Sequence, residues 1–145
     1  MGNVTKSIEI FAHPEKVFDF IIDFEKMNSI HEGFTEATCT SKERPFGIGT
    51  TAHFVGKHGG SNMEWDMEVV EYERNKKLRW QSVKPNLANI LTLEPTTNGT
   101  MLTHSALYEL PYSVFGKLID RLKINKDVNR EIALELELTK KALEV

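Results

Sequence analysis

A long amphipathic segment closes this chain after a succession of strand-like segments, and that order restricts the fold more than any single motif. From Ser113 to Val145, Val114, Phe115, Leu118, Ile119 and Leu122, then Val128, Ile132, Leu136 and Leu143, recur at helical spacing. Such spacing predicts a helix with one buried stripe. Polar residues crowd Lys123 to Arg130, which predicts a kink or short break near Asn125. A helix of this kind must bury its stripe against another layer, and the strands ahead of it supply one.

Val4, Lys6, Ile8 and Ile10 alternate with Thr5, Ser7 and Glu9, the pattern of a half-buried strand. Pro14 ends it, because proline lacks the N–H a ladder needs but suits the first turn of a helix. Val17, Phe18, Phe20, Ile21 and Ile22 then give a short amphipathic helix, Pro14 to Asp23, and a second is expected over Phe24 to Ile30. Strands follow over Phe34 to Thr40, Gly49 to Val55, Met63 to Tyr72, Leu78 to Val83, Ala88 to Glu94 and Thr100 to Leu110. Lys57 to Asn62 reads as a loop, Arg74 to Lys77 as a turn, Lys84 to Asn86 as a break, and Asn98-Gly99 as a hairpin signal. The expectation is one α+β domain over residues 1–145: a curved antiparallel sheet of about seven strands wrapped around a long C-terminal helix, with two short helices after the first strand.

Composition narrows the function. A chain of 145 residues can bury roughly two thirds of its unfolded surface. A formal net charge of −3 with no Lys/Arg block argues against nucleic-acid binding by phosphate neutralisation. Cys39 is the single cysteine, so no intramolecular disulfide forms, and a reducing cytoplasm is the expected location. The stretch MGNVTKSIEIF lacks the long apolar core of a signal peptide and no run approaches the apolar length of a membrane span, so neither a signal peptide nor stable membrane insertion is expected.

Three stretches then resemble a known family. Ala12, Pro14, Val17, Phe18 and Phe20 are similar to the strand-to-helix entry A-x-P-x-x-V-[FW]-x-[FL] of the SRPBCC superfamily. Phe46-Gly47-Ile48-Gly49-Thr50 resembles that superfamily's G-x-G-[TS] entry to a middle strand. Asn98-Gly99-Thr100-Met101-Leu102-Thr103-His104 resembles its last hairpin. The resemblance covers nearly the whole chain. It implies the helix-grip fold shared by START lipid-transfer domains, polyketide cyclases and birch-pollen-type allergens, in which the sheet's concave face and the long helix line a cavity.

Alternation proposes what enters such a cavity. On the last strand Leu102, His104, Ala106, Tyr108 and Leu110 form the more apolar set, and Trp65, Met67 and Trp80 line neighbouring strands. Leu118 and Leu122 on the helix stripe, with Asn125 and Asn129 one turn apart, complete the ligand-binding candidates. His104 is the candidate acid–base group, since imidazole exchanges protons near neutral pH, and Tyr108 is a candidate hydrogen-bond donor. Each also has a plain structural reading: a histidine bonded to a neighbouring strand, a tyrosine with its hydroxyl near water, tryptophans as core. Glu64, Asp66 and Glu68 read as the solvent face of a sheet. His13, His31, His53, His58 and His104 lack close metal-ligand spacing, so no metal is expected, and no cofactor motif is present.

Three functions fit these residues. The first is burial of an apolar small molecule of lipid, quinone, polyketide or isoprenoid type between sheet and helix. The second is a polyketide cyclase/dehydratase-like enzyme with His104 as acid–base. The third is a protein-interaction module. Ligand identity, cavity size, turnover, the direction in which His104 faces and the oligomeric state are left open by the sequence.

Overall fold

A computed structural model describes residues 2–23, 26–27, 29, 35–40, 46–58, 61–82, 86–109 and 118–144, with backbone alone at 35–37, 39, 56–58, 61–63 and 118–124. Its elements are β1 (Gly2–Ile10), α1 (Pro14–Ile21), β2 (Thr35–Cys39), β3 (Thr51–His58), β4 (Ser61–Glu73), β5 (Lys77–Ser82), β6 (Leu87–Pro95), β7 (Thr100–Tyr108) and α2 (Leu118–Leu143). The seven strands form one curved antiparallel sheet in the order β1-β7-β6-β5-β4-β3-β2. The chain starts at one edge, crosses to the other by way of α1, and returns strand by strand until β7 pairs with β1. α2 packs chiefly against β1, with further contacts to β7 and α1. The expected α+β helix-grip architecture is therefore present.

The motifs have structural causes. Pro14 opens α1 in its first turn, and Val17, Phe18 and Ile21 are the face it buries. Phe18 meets Tyr72 edge-on, with ring centroids 5.3 Å apart. In Phe46 to Thr50, Gly49 takes φ 88°, a conformation costly for side chains with a Cβ. That bend lets the Gly49 N–H reach Val69 O at 2.9 Å while the Val69 N–H bonds Thr50 O at 2.9 Å. Gly99 passes against the end of β1, where a Cβ would collide with Ile10 O. The next residue, Thr100, donates its hydroxyl to Ala12 O at 2.7 Å and ties the last hairpin to the β1–α1 corner.

Three expectations need correction or restriction. α2 runs without a break through Asn125. Its polar stretch is stabilised locally, with Asn129 Nδ2 donating to Asn125 O at 2.9 Å and Arg130 pairing with Asp127 at 2.9 Å. Lys57 to Asn62 is not a loop: Lys57 pairs with Asn62 and His58 with Ser61, so β3 and β4 extend until only residues 59 and 60 separate them. The second short helix, Phe24 to Ile30, falls largely outside the described residues. Within it Met27 N–H bonds Asp23 O at 3.0 Å, and Asp23 Oδ1 accepts from Lys26 N–H at 3.2 Å.

The core lies between the inner sheet face and the helices. Register places Val4, Ile8 and Ile10 of β1, Leu102 and Ala106 of β7, Leu91 and Leu93 of β6, Leu78 and Trp80 of β5, and Trp65, Met67 and Val69 of β4 on that face. A bulge between Val69 and Glu71 shifts the parity of β4, so Tyr72 rather than Glu71 lies opposite Leu78. Ile132, Leu136, Thr139 and Leu143 are the buried stripe of α2. Its last turn is held by Lys16 Nζ donating to Leu143 O at 3.3 Å and Lys140 Nζ donating to Glu9 O at 2.8 Å.

Candidate functional site

Polar groups interrupt this apolar face at the middle and at one end of β7. His104, 5% exposed, lies on the inner face between Leu102 and Ala106. Its cross-strand partners are Leu91 on β6 and Lys6 on β1. The imidazole Nε2 lies 2.9 Å from Asn89 Oδ1. An amide oxygen only accepts, so His104 carries its proton on Nε2 and donates it to Asn89. The other nitrogen, Nδ1, stands 3.7 Å from Oε1 of Glu135 on α2, a carboxyl side chain with 16% exposure. β6, β7 and α2 thus converge on one imidazole.

Glu135 is the most perturbed group of the site. Burial removes the water that would stabilise its anion, and the negative charge of Glu131 one turn earlier adds to the effect. Together they push its pKa up to about 7. At neutral pH the carboxyl is therefore divided between an acid that donates a hydrogen bond and an anion that accepts one. Thr139, one turn later, donates its hydroxyl to Glu135 O at 2.8 Å and fills the helix face beside it.

At the end of β7 the Tyr108 hydroxyl donates to Asn125 Oδ1 on α2. Burial raises the Tyr108 pKa, so the phenol stays protonated and remains a donor. Gly2 sits opposite Tyr108 in the ladder, and a Cβ there would collide with the ring. Glycine at that position lets the ring lie over β1.

The aromatic wall occupies the other side. Phe54 of β3 stacks on Trp65 at 5.8 Å between centroids with planes 10° apart, and meets Trp80 edge-on at 6.2 Å. Met67 joins the wall to the polar cluster, with its sulfur 4.0 Å from Asn89 Nδ2.

The sequence-derived candidates Trp65, Met67, Trp80, Leu102, His104 and Tyr108 all lie on the inner face. Asn125 joins them through Tyr108, whereas Asn129 turns its amide back to its own helix. The side chains of Leu118 and Leu122, and all of Leu110, lie outside the described residues. Sequence reasoning missed Asn89 and Glu135. Both had a signal: Asn89 stands in register with Leu91 and Leu93, and Glu135 lies between Ile132 and Leu136 on the stripe. Among the described residues no cluster of three His, Cys, Asp or Glu side chains could hold a metal ion. Glu64 and Asp66 lie on the outer face, where His53 bridges them at 3.8 and 2.9 Å. No helix among the described residues is long and apolar enough to cross a membrane.

This architecture, a long helix held against one face of a curved seven-stranded sheet, defines a helix-grip protein. The chain belongs to the family described as polyketide cyclase / dehydrase and lipid transport, whose profile matches residues 1–144. No curated protein matches it by sequence. Among solved structures it is similar to TTHA0849 from Thermus thermophilus, with 21% identity, TM-score 0.83, and 97% of this chain and 96% of that one covered. The Aha1 dimer from Colwellia psychrerythraea shares 20% identity at TM-score 0.69, covering 100% and 98% of the two chains. Ara h 8.0201 shares 12% identity at TM-score 0.70, covering 97% and 96%. At these identities the likeness is one of fold.

Proposed function

We propose that this protein, acting as one domain, binds an apolar small molecule of lipid, quinone, polyketide or isoprenoid type between the inner sheet face and α2. The observation that carries the reading is the composition of that face. An aromatic and aliphatic wall (Phe54, Trp65, Met67, Trp80, Leu91, Leu102) surrounds polar groups concentrated at His104, Asn89, Glu135 and Tyr108. An extended apolar wall with few polar groups is what orients a hydrophobic ligand. Ligand burial contributes about 25 cal/mol per Å² of apolar surface, and one or two hydrogen bonds select the ligand's orientation. The family's description, which joins lipid transport to polyketide chemistry, supports the same class.

The family description also supports a second reading, cyclase/dehydratase-like catalysis with His104 as acid–base and Tyr108 as donor. Geometry weighs against His104 as the group that meets a substrate, because its Nε2 proton is held by Asn89. Native mass spectrometry of the purified protein, followed by organic extraction, tests the binding reading. A defined apolar molecule at near-equimolar occupancy is expected. An empty protein that also fails to bind a panel of hydrophobic fluorophores would overturn it.

A further inference from the structure

We infer that the Asn89 carboxamide is the group that reads the ligand and that it selects an apolar molecule carrying a carbonyl oxygen, with His104 as its positioning residue. The inference rests on the binding reading above and adds the ligand's functional group.

The inner face is not sealed evenly along its strands. Toward α1, whose Phe18 meets Tyr72 opposite Leu78, it is closed: Leu78 is 0% exposed and Leu102 1%. Toward Tyr108 exposure returns. Ala106 reaches 8% and Trp65 9%, and Phe54, Leu87 and Tyr108 are only half-buried. Asn89 stands at this boundary, half-buried, in register with Trp80 on one side and Ala106 on the other. It is the polar member of the inner-face set Leu87, Asn89, Leu91 and Leu93 on β6. An apolar molecule that enters from the Tyr108 end and lies on the aromatic wall therefore reaches Asn89 before it reaches the sealed half of the core.

Two contacts fix which way the amide points. Its Oδ1 accepts the His104 Nε2–H at 2.9 Å, and its Nδ2 faces the Met67 sulfur at 4.0 Å. Turning the amide over would set its hydrogens against that Nε2–H, so His104 keeps the NH2 group directed toward the Met67 side of the face. A carboxamide nitrogen carries two hydrogens, and a thioether is a weak acceptor for one of them. Water satisfies a half-exposed N–H, but a ligand that covers Asn89 displaces that water. The covered N–H then needs an acceptor on the ligand, or binding bears the cost of an unsatisfied donor. A carbonyl oxygen meets this need on a frame that is otherwise apolar. Ketones, esters and quinones are therefore favoured over hydrocarbons of the same shape, which selects the oxygen-bearing members of the lipid, quinone, polyketide and isoprenoid range.

The test uses fluorene and 9-fluorenone, planar molecules that differ only in a CH2 or C=O bridge, each titrated against a bound hydrophobic fluorophore. The affinity ratio of fluorenone to fluorene should be about tenfold higher for the wild type than for Asn89→Leu, the scale of one well-made hydrogen bond. Fluorene affinity should be unchanged in the variant, which also reports that it is folded. The infrared carbonyl stretch of bound fluorenone should lie below its value in alkane for the wild type and return toward it in Asn89→Leu. His104→Leu retains the donor but releases the amide, so the ratio should fall by a smaller factor with fluorene affinity level. An unchanged ratio in His104→Leu would overturn its positioning role. Should Asn89→Leu fail to fold, NMR of the wild type decides: the Asn89 side-chain NH2 signals should move with fluorenone and not with fluorene. Equal ratios in wild type and Asn89→Leu, or NH2 signals indifferent to the carbonyl, would overturn the role of Asn89 and leave ligand binding standing. Failure of the wild type to bind either probe or the fluorophore would overturn both readings.

Discussion

Tyr108 on the last strand gives its hydroxyl hydrogen to Asn125 on the long helix, and this bond spans the two layers of the fold at one end of the site. It requires glycine at position 2, because a Cβ there would collide with the tyrosine ring. The first strand, the last strand and the helix are thereby coupled through one side chain. Gly2→Ala should displace the ring and break the hydroxyl bond, costing about 1 kcal/mol, the usual net value of one hydrogen bond. Tyr108→Phe should cost a similar amount for the same lost bond. The double variant should then be less destabilised than the sum of the two, and urea unfolding of all four proteins measures the difference. Additive losses would mean that glycine is needed there for some other reason.

The packing of α1 on the sheet should be a stability determinant independent of the site. Phe18 is fully buried and meets Tyr72 at 5.3 Å between centroids. Phe18→Ala removes a ring that close-packed neighbours cannot replace, and a loss of about 4 kcal/mol is expected. Tyr72→Phe keeps the edge-to-face contact and should be nearly neutral. Equilibrium denaturation checks the contrast.

The raised pKa of Glu135 makes a prediction about stability against pH. Its folded pKa, about 7, lies above the ordinary glutamate value of 4.5 expected for the unfolded chain. The folded state therefore binds more protons than the unfolded state between these values, and stability falls as pH rises through that window. The contribution is fully present below the unfolded pKa and gone above the folded one, and it amounts to about 3 kcal/mol. Glu135→Gln should remove this slope, leaving a protein more stable than the wild type above neutral pH. Unfolding free energies measured across the window decide it, and parallel curves for the two proteins would refute it.

Much of the architecture was legible because it is written in short-range alternation. Val4, Lys6, Ile8 and Ile10 share the inner face, as do Trp65, Met67 and Val69, and the pleat allows no other arrangement once one residue is buried. The same rule turned His104 inward. The continuity of α2 through Asn125 was not legible, because the residues that stabilise Lys123 to Arg130 include Tyr108 from the sheet, and long-range partners leave no periodic trace. Asn89 and Glu135 were passed over for a related reason. A polar residue within an apolar set reads as an irregularity until a partner is found, and each has its partner on another element. Only the folded chain brings His104 between them.

His53 offers a control on the outer face of the sheet, where electrostatics should matter without affecting the site. Its imidazole Nδ1 bonds Asp66 Oδ1 at 2.9 Å, and its Nε2 lies 3.8 Å from Glu64. The Asp66 hydrogen bond is the chief reason its pKa is raised above 6.5; desolvation opposes it, and the Asp66 and Glu64 charges add to the rise. A histidine raised in this way contributes stability at pH values below its unfolded pKa and loses it as pH rises through the folded one. Because the pair is exposed, added salt should weaken it. Asp66→Asn should return the His53 titration, followed by its ring-proton NMR shifts, toward the ordinary imidazole value. Binding of hydrophobic fluorophores should be unchanged, since Asp66 and His53 lie on the face opposite Trp65 and Met67. A change in ligand affinity on Asp66→Asn would mean that the two faces of the sheet communicate, and the site could no longer be assigned to the inner face alone.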